Sequence, residues 1–222
     1  MWRKIIQSFE NRPEAFAWLG GTRGWNEIHE KLEEIEREPE YVLVFDTETN
    51  GRGPQLVVQL AFVVLDGENR EILSSSRLVS LPEGGSISSY ASKIHNITDE
   101  RLLKEGEDAR NVLLEFFAWV SKSSRIVAHN FAFDCRAVKA TCKAHNLEFE
   151  CDELENKALC TMKCSTQHLG LLNRIGGPKP PKNVELYRYL YDKDPQGKLH
   201  DALVDCRVTA ANYVGGRARG WW

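Results

Sequence analysis

The sequence contains no long apolar run and no internal repeat. No stretch of its 222 residues approaches the length needed to cross a bilayer, and its first residues do not resemble a targeting peptide. We therefore expect a soluble protein with no membrane contact. It would act inside a cell, in the cytoplasm or nucleoid, or within a host cell if the sequence is viral. The length predicts one α/β domain plus an appendage.

The sequence also lacks an excess of positive charge. Lysine and arginine total 29 against 32 aspartates and glutamates, which gives a formal net charge of −3. A protein that tracks along a nucleic-acid duplex needs a basic stripe, and none is evident. A shorter contact with a nucleic acid is still compatible with this balance, because any carboxylates that bind a metal are included in the negative count.

The six cysteines lack the spacing of a zinc knuckle. Several of them lie in predicted core helices, which favours reduced thiols over disulfides. Cys160, Cys164 and His168 have a loosely metal-like spacing. Without paired C-x-x-C motifs, a structural zinc site is not favoured there.

One apolar run ends abruptly in two acids. Residues 41–45 are typical of a buried strand, and Asp46 and Glu48 follow it. Side chains two positions apart on a strand point to the same face, so both carboxylates would project into one small volume. Surface acids in a turn after the strand are the alternative interpretation, and they account for most isolated D-x-E sequences.

Two predicted helices each contain an acid on or near an apolar face. Asp134 lies in the first turn of a helix predicted over residues 131–145, after a strand predicted over 125–128. Asp205 is the one central acid of a nearly all-apolar helix predicted over 201–214, and His200 immediately precedes that helix. For Asp134, a favourable interaction with the helix dipole is an alternative explanation.

Four carboxylates from one strand and two helices are suited to hard divalent cations. Mg²⁺ and Mn²⁺ prefer oxygen ligands, and two such ions roughly 3.5–4 Å apart can activate water and stabilise a leaving oxygen. The sequence thus predicts two Mg²⁺ or Mn²⁺ ions and phosphodiester cleavage. His200 is the candidate general base, because an unperturbed histidine has a pKa of about 6.5.

These segments, in this order, resemble the DEDDh branch of the DnaQ-like 3′→5′ exonucleases, especially proofreading exonucleases of the epsilon type. The resemblance covers residues 41–214. It rests on FDTETNG at 45–51, IHNIT at 94–98, CTMK at 160–163, HDALVD at 200–205 and the N-x-x-F-D pattern at 130–134. Each segment alone is only moderately specific, and it is their shared order that carries the resemblance.

The resemblance implies an RNase H-like α/β domain, with a central mixed sheet flanked by helices on both faces. It implies that Asp46, Glu48 and Asp205 hold the catalytic metal, that Asp46 and Asp134 hold the second, and that His200 is the general base. The expected activity is metal-dependent 3′→5′ hydrolysis of single-stranded or frayed DNA to nucleoside 5′-monophosphates. A 3′→5′ exoribonuclease and a partner-docking module of a polymerase or other nucleic-acid complex are the alternatives.

The resemblance also implies substrate contacts. His95 and Asn130 match positions that border the site, although a local hydrogen bond would also explain His95, and a helix cap would explain Asn130. In a loop of glycines and prolines, Lys179 and Lys182 are candidates for phosphate contacts or simply solvated charges. The floor beneath the terminal nucleotide would be formed by Thr47, Thr49, Asn50 and Gly51.

Both flanks of this domain differ from it in composition. Residues 1–40 are rich in aromatic side chains and predict a small helical extension, which either packs on the domain or docks a protein partner. Residues 215–222 contain three glycines and two arginines before two final tryptophans, and they predict a flexible tail able to make a basic and aromatic contact.

Overall fold

Five strands form one mixed sheet in a computed structural model that describes residues 40–149, 151–197 and 200–222. The strands are β1 (Tyr41–Thr49), β2 (Val57–Leu65), β3 (Glu71–Leu78), β4 (Ser123–Ala128) and β5 (Ala158–Cys160). Their order across the sheet is β3-β2-β1-β4-β5. β1 pairs antiparallel with β2 and parallel with β4, so the predicted mixed sheet is confirmed.

Eight helices accompany the sheet in the part of the chain that the structure describes. They are α1 (Ser89–His95), α2 (Asp99–Glu105), α3 (Ala109–Lys122), α4 (Phe131–Ala144), α5 (Cys151–Asn156), α6 (Thr161–Leu169), α7 (Asn183–Tyr191) and α8 (Ala202–Arg217). α3 begins after Asp108, which caps it by accepting a hydrogen bond from the Arg110 N–H at 2.8 Å. None of these helices is long and apolar enough to cross a membrane.

Two apolar layers cover the two faces of the sheet. On one face, Phe45 packs against Phe116 of α3 and Phe131 of α4, with ring centroids 5.2 and 5.7 Å apart. On the other face, the alternate β1 residue Val44 belongs to a buried cluster with Cys206 and Ala210 of α8. All nine residues of β2 are buried, as expected of a strand covered on both sides. The expected helices on both faces are therefore confirmed.

The predicted extension at residues 1–40 lies outside the described residues except for Glu40. From Tyr41 to Trp222 the chain forms one compact unit.

The C-terminal segment corrects the expectation of a flexible tail from residue 215. α8 continues through Arg217, and the Trp222 Nε1–H donates to the Tyr213 carbonyl at 3.0 Å. The glycines that suggested flexibility instead make room for an aromatic ring, because a Cβ at Gly216 would lie 2.0 Å from the Trp222 ring. We refer to Tyr213, Trp221 and Trp222 as the aromatic cap of α8.

Candidate metal and catalytic site

Four carboxylates meet at one edge of the sheet, and we call them the acidic cluster: Asp46, Glu48, Asp134 and Asp205. The first two lie near the end of β1, in the alternation of Val42 and Val44 that faces α8. Because β1 and β4 are parallel, their carboxyl ends meet at the same edge. α4 begins there, three residues after β4 ends, and brings Asp134 in its first turn. Asp205 comes from the first turn of α8.

Asp134 is fixed by the residue between the two acids of β1. Thr47 donates two hydrogen bonds to Asp134 Oδ1, from its N–H at 3.1 Å and from its hydroxyl at 2.7 Å. Asp134 is only 3% exposed. A buried carboxylate with both of these contacts on one oxygen is held in place while its second oxygen remains for another partner. Thr47 thus orients a carboxylate, whereas the sequence predicted a place in the nucleotide floor.

Asp205 is fixed by the backbone that precedes its own helix. The His200 N–H donates to Asp205 Oδ2 at 2.9 Å, and His200 has a φ of 65°, in the left-handed region. Asp201 caps α8 by accepting hydrogen bonds from the Leu203 and Val204 N–H groups at 3.1 and 3.3 Å. This sharp turn brings the His200 imidazole close to the acids. Its ligand atom and those of Glu48 and Asp205 lie within 4.8 Å of one another.

The acidic cluster is electrostatically unfavourable on its own. Burial, reinforced by the charges of Asp205 and Asp134, raises the pKa of Glu48 to about 8. Burial also raises the pKa of Asp134 to about 7, although the Thr47 hydrogen bonds oppose that shift. The pKa values of Asp46 and Asp205 are raised too, mainly by burial, and in Asp46 also by the other acids. These shifts are typical of like charges crowded together at low dielectric.

A divalent cation would relieve this repulsion. Among the described residues, none of the four carboxylates forms a salt bridge with lysine or arginine. Buried charges are normally paired or bound to a metal. An all-oxygen donor set with one nearby imidazole is suited to Mg²⁺ or Mn²⁺. The residues present therefore fit the predicted metals.

The loop after β1 is held by its own contacts. Asn50 Oδ1 accepts hydrogen bonds from the N–H groups of Leu56 at 3.0 Å and Arg52 at 3.3 Å, and the Asn50 N–H donates to the Leu56 carbonyl at 2.9 Å. Gly51 has a φ of 65°, and a Cβ there would lie 2.6 Å from that of Ala91. Gly51 is thus required by close packing on α1. The backbone N–H groups of Thr47 and Asn50 are both hydrogen-bonded within the protein, to Asp134 and to the Leu56 carbonyl.

His95 makes local hydrogen bonds with both ring nitrogens. It is the last residue of α1, where Nε2 lies 3.1 Å from the Thr49 carbonyl and Nδ1 accepts from the Ile97 N–H at 3.1 Å. Burial lowers its pKa, which favours the neutral ring with the proton on Nε2. The structure thus shows the local hydrogen bond that was the alternative to a substrate contact. Through it, His95 holds the end of β1.

Asn130 occupies the N-cap position of α4, but its side chain makes no capping hydrogen bond. The interpretation of this side chain as a helix cap is therefore wrong. Its φ of −120° and ψ of 60° depart from the extended backbone of the other capped helices. Its carbonyl instead accepts from the Phe133 N–H at 2.8 Å. The side chain is exposed beside the first turn that carries Asp134, so it remains a candidate substrate contact.

Gln59 supports the site and was missed from the sequence. It lies opposite Glu48 in the β1–β2 register and is 8% exposed. Its Nε2 donates to Ser76 Oγ at 3.1 Å, and its Oε1 accepts from the Ala202 N–H at 3.5 Å, at the start of α8. The available signal was one amide side chain within an otherwise apolar strand.

Two weaker sequence predictions are resolved by specific contacts. Lys179 pairs with both oxygens of Glu185, at 2.7 and 2.9 Å, so its charge is already balanced within the loop.

The residues with metal-like spacing make other contacts. The Cys160 thiol points to the His129 carbonyl at 3.2 Å, and the His168 ring stacks on Trp221 at 4.3 Å. All six cysteines are free thiols. These contacts use Cys160 and His168 in packing.

Comparison with known proteins points to exonucleases. The RNase_T exonuclease family profile matches residues 43–213, well over half of the chain. An uncharacterized exonuclease, CP81, of Escherichia phage 186 is 27% identical over 171 residues, which cover 75% of this chain and 83% of that protein. A PolC-type DNA polymerase III of Mycoplasmopsis pulmonis is 33% identical over 111 residues. That match covers 50% of this chain and 8% of the polymerase.

Solved structures with the same fold include three nucleases. The nuclease domain of 3'hExo, a DEDDh family member bound to rAMP, has a TM-score of 0.65 at 14% identity and covers 83% of this chain and 94% of that one. Exonuclease X with 5′ overhanging duplex DNA has a TM-score of 0.56 at 26% identity, with 82% and 94% covered. E. coli Exonuclease I with a dA16 oligonucleotide has a TM-score of 0.65 at 18% identity, with 81% and 41% covered.

Proposed function

The chain belongs to the RNase_T family of exonucleases, and from this membership we propose that it removes nucleotides from the 3′ ends of single-stranded or frayed DNA. The products are nucleoside 5′-monophosphates. The proposed mechanism is of the DEDDh type, in which four carboxylates and one histidine act together. The acidic cluster is the observation that supports it. Four acids with raised pKa values and no cationic partner among the described residues form a site that a divalent cation completes.

Each acid has its own place in the proposed site. Asp46, Glu48 and Asp205 would hold the first ion, and Asp46 and Asp134 would hold the second. When bound, two Mg²⁺ or Mn²⁺ ions supply Lewis acidity and neutralise charge that develops on the phosphate. Thr47 keeps one oxygen of Asp134 engaged. The His200 N–H does the same for Asp205, so both carboxylates are oriented before a strand arrives.

His200 is the proposed general base. Its imidazole is exposed and lies within 4.8 Å of ligand atoms of Glu48 and Asp205. A ring at the solvent edge of the site is able to accept the proton of an attacking water and release it to bulk water.

The side chain of Asn130 and the turn after β1 are also proposed to contact the strand. The exposed carboxamide of Asn130 lies beside the first turn of α4 and has donors and an acceptor for the terminal nucleotide. The turn at Asn50 and Gly51, at the end of β1, forms a preorganised wall. Its contacts with Leu56 and α1 hold it rigid.

DNA is the proposed substrate because the relatives with curated names include a DNA polymerase, and Exonuclease X was solved with DNA. RNA is retained as a second substrate in the test, because the neighbouring 3'hExo was solved with rAMP. A protein partner, if the enzyme has one, would bind through the aromatic residues at 1–40. Those residues lie outside the described structure.

The test uses the full chain with single-stranded DNA and RNA oligonucleotides of one sequence, labelled at the 5′ end. With Mg²⁺ or Mn²⁺, we expect a ladder of products that shorten from the 3′ end, and more of it from DNA. A 3′-phosphate should block the reaction, whereas a 5′-phosphate should not. Cleavage of a circular single strand would show an endonuclease and contradict the proposal. Faster degradation of RNA would reassign the substrate.

A further inference from the structure

A partly buried amide network contacts the backbone carbonyl of Asp205. Asn183, the first residue of α7, donates from Nδ2 to the Asp205 carbonyl at 3.1 Å and to the Thr209 hydroxyl at 2.9 Å. Asn212 donates from its own Nδ2 to the Asn183 carbonyl at 2.9 Å and to Asn183 Oδ1 at 2.8 Å. Thr209 and Asn212 are fully buried. Both hydrogens of each amide are therefore used.

We propose that Asn183 is a positioning residue for the metal ligand Asp205, acting through the backbone at the start of α8. This inference rests on the proposed function, because it assigns Asp205 to a metal. The Asn183 amide bonds the carbonyl of the very residue whose carboxylate belongs to the acidic cluster. It therefore fixes the position of that residue along and around the helix.

Asn183 is itself anchored to the edge of the sheet that carries the site. Two residues before it, the Pro181 carbonyl lies 2.9 Å from Nε2 of buried His129, the residue that follows β4. The Lys182 N–H donates to Glu185 at 2.8 Å and closes the first turn of α7. The start of α7 is thus a fixed point between the end of β4 and Asp205.

The network is costly to bury, which argues that it has a purpose beyond packing. Asn212 Oδ1 is buried without a hydrogen-bond partner among the described residues. An apolar pair between α7 and α8 would avoid that loss. Groups that orient metal ligands are commonly polar for this reason, because directional hydrogen bonds fix a ligand more closely than packing does.

The same two helices offer a matched control. At the other end of α7, the Tyr191 hydroxyl donates to the Ala211 carbonyl of α8 at 2.6 Å. Tyr191→Phe removes one hydrogen bond between α7 and α8 at a point away from Asp205, whereas Asn183→Ala removes three, to the Asp205 carbonyl, to Thr209 and from Asn212. The Tyr191→Phe variant therefore shows whether a lost contact between the two helices, away from Asp205, is enough to weaken metal binding.

The experiment measures Mn²⁺ binding to the full chain by calorimetry, beside the melting temperature of the metal-free protein and kcat and KM on single-stranded DNA. Asn183→Ala and the isosteric Asn183→Asp should weaken Mn²⁺ binding by roughly 10-fold, the usual cost of losing a group that orients a metal ligand. Tyr191→Phe should lower the melting temperature but leave Mn²⁺ affinity unchanged. The loss in Asn183 variants should fall on kcat and leave KM near the wild-type value.

A second pair of variants keeps the test decisive if Asn183→Ala folds poorly. Thr209→Val keeps the side-chain shape without its hydroxyl, and Thr209→Ser keeps the hydroxyl. Thr209→Val should weaken Mn²⁺ binding by less than Asn183→Asp does, and Thr209→Ser should match the wild type.

Wild-type Mn²⁺ affinity in Asn183→Asp, or equal losses in Asn183→Asp and Tyr191→Phe, would overturn the positioning role while leaving the proposed function standing. A wild-type protein that binds no Mn²⁺ would overturn both.

Discussion

The two ends of α8 differ in whether their charged and polar groups have partners. At the first turn, Asp205 lies among carboxylates whose pKa values are raised and which lack a salt-bridge partner among the described residues. At the last turn, polar groups are paired: the Arg219 guanidinium donates to the Gly215 and Leu190 carbonyls, both at 3.0 Å. Trp222 fills the space that Gly216 leaves open. Unbalanced charge at one end indicates a binding site, and satisfied contacts at the other indicate a structural clamp.

If this comparison is right, removal of one acid should abolish activity without weakening the fold. Asp46→Ala is expected to lower kcat/KM by at least about 10³-fold, because this carboxylate is proposed to contact both ions. Its metal-free melting temperature should equal or exceed that of the wild type, since one of several repelling charges is gone. Asp152→Ala, an exposed acid on α5, is the control. Near-normal activity of Asp46→Ala would place the site elsewhere.

Removal of the His200 imidazole, at the same end of α8, should impair proton transfer but leave metal binding intact. His200→Ala is expected to lower kcat on the order of 10²-fold, within the range for a lost general base. Mn²⁺ affinity should change little, because the oxygen ligands remain and Asp205 accepts its hydrogen bond from the His200 backbone. Calorimetry checks this point, and loss of Mn²⁺ binding in a folded variant would make His200 a ligand.

Truncation of a ring in the aromatic cap should lower stability and leave activity unchanged, the opposite of what is expected for Asp46→Ala. Trp222→Ala is expected to lower the free energy of unfolding by about 2 kcal/mol, since it removes a partly buried ring and its hydrogen bond to Tyr213. The kcat/KM of the folded protein should not change. Leu103→Ala is the control, because Leu103 is 91% exposed. Denaturant titration measures the loss, and a large drop in activity at full folding would show that the cap reaches the substrate.

The smallest expected effect is the pH dependence of the metal-free protein. A carboxylate whose pKa is raised by folding favours the folded state when protonated, so its contribution is lost as pH rises from the unfolded value to the folded one. For Glu48 that window runs from 4.5 to about 8. We expect the melting temperature to fall by at least about 5 °C across it, because Asp46, Asp134 and Asp205 also have raised pKa values and act in the same direction.

Added Mn²⁺ should remove this fall, since the cation balances the ionised acids. Thermal denaturation at several pH values, with and without Mn²⁺, measures both curves. A melting temperature of the metal-free protein that rises across the window would contradict the assigned repulsion.

The sequence predicted those parts of the fold that depend on local pattern. Period-two alternation placed Asp46 and Glu48 on one face of a strand, and the apolar surroundings of Asp205 placed it in a buried helix. Contacts between distant residues were not predictable. Thr47 and Asp134 are 87 positions apart, and their hydrogen bonds depend on the parallel pairing of β1 with β4.

Two other features were not predicted, because they also depend on contacts between distant parts of the chain. Strand β5 has only three residues, too few to show an alternation, and it forms because β4 offers a parallel edge. The glycines of residues 215–222 suggested flexibility because composition does not reveal that an aromatic ring returns to pack on them.

The most direct test of the acidic cluster as a cation-dependent 3′ exonuclease site is product analysis by mass spectrometry. The full chain, stripped of metal, is mixed with single-stranded DNA, first with excess chelator and then with Mg²⁺ or Mn²⁺ restored. We predict no products under chelation, and nucleoside 5′-monophosphates with a strand shortened from its 3′ end after restoration. Undiminished cleavage in chelator, or products that carry 3′-phosphates, would contradict the account.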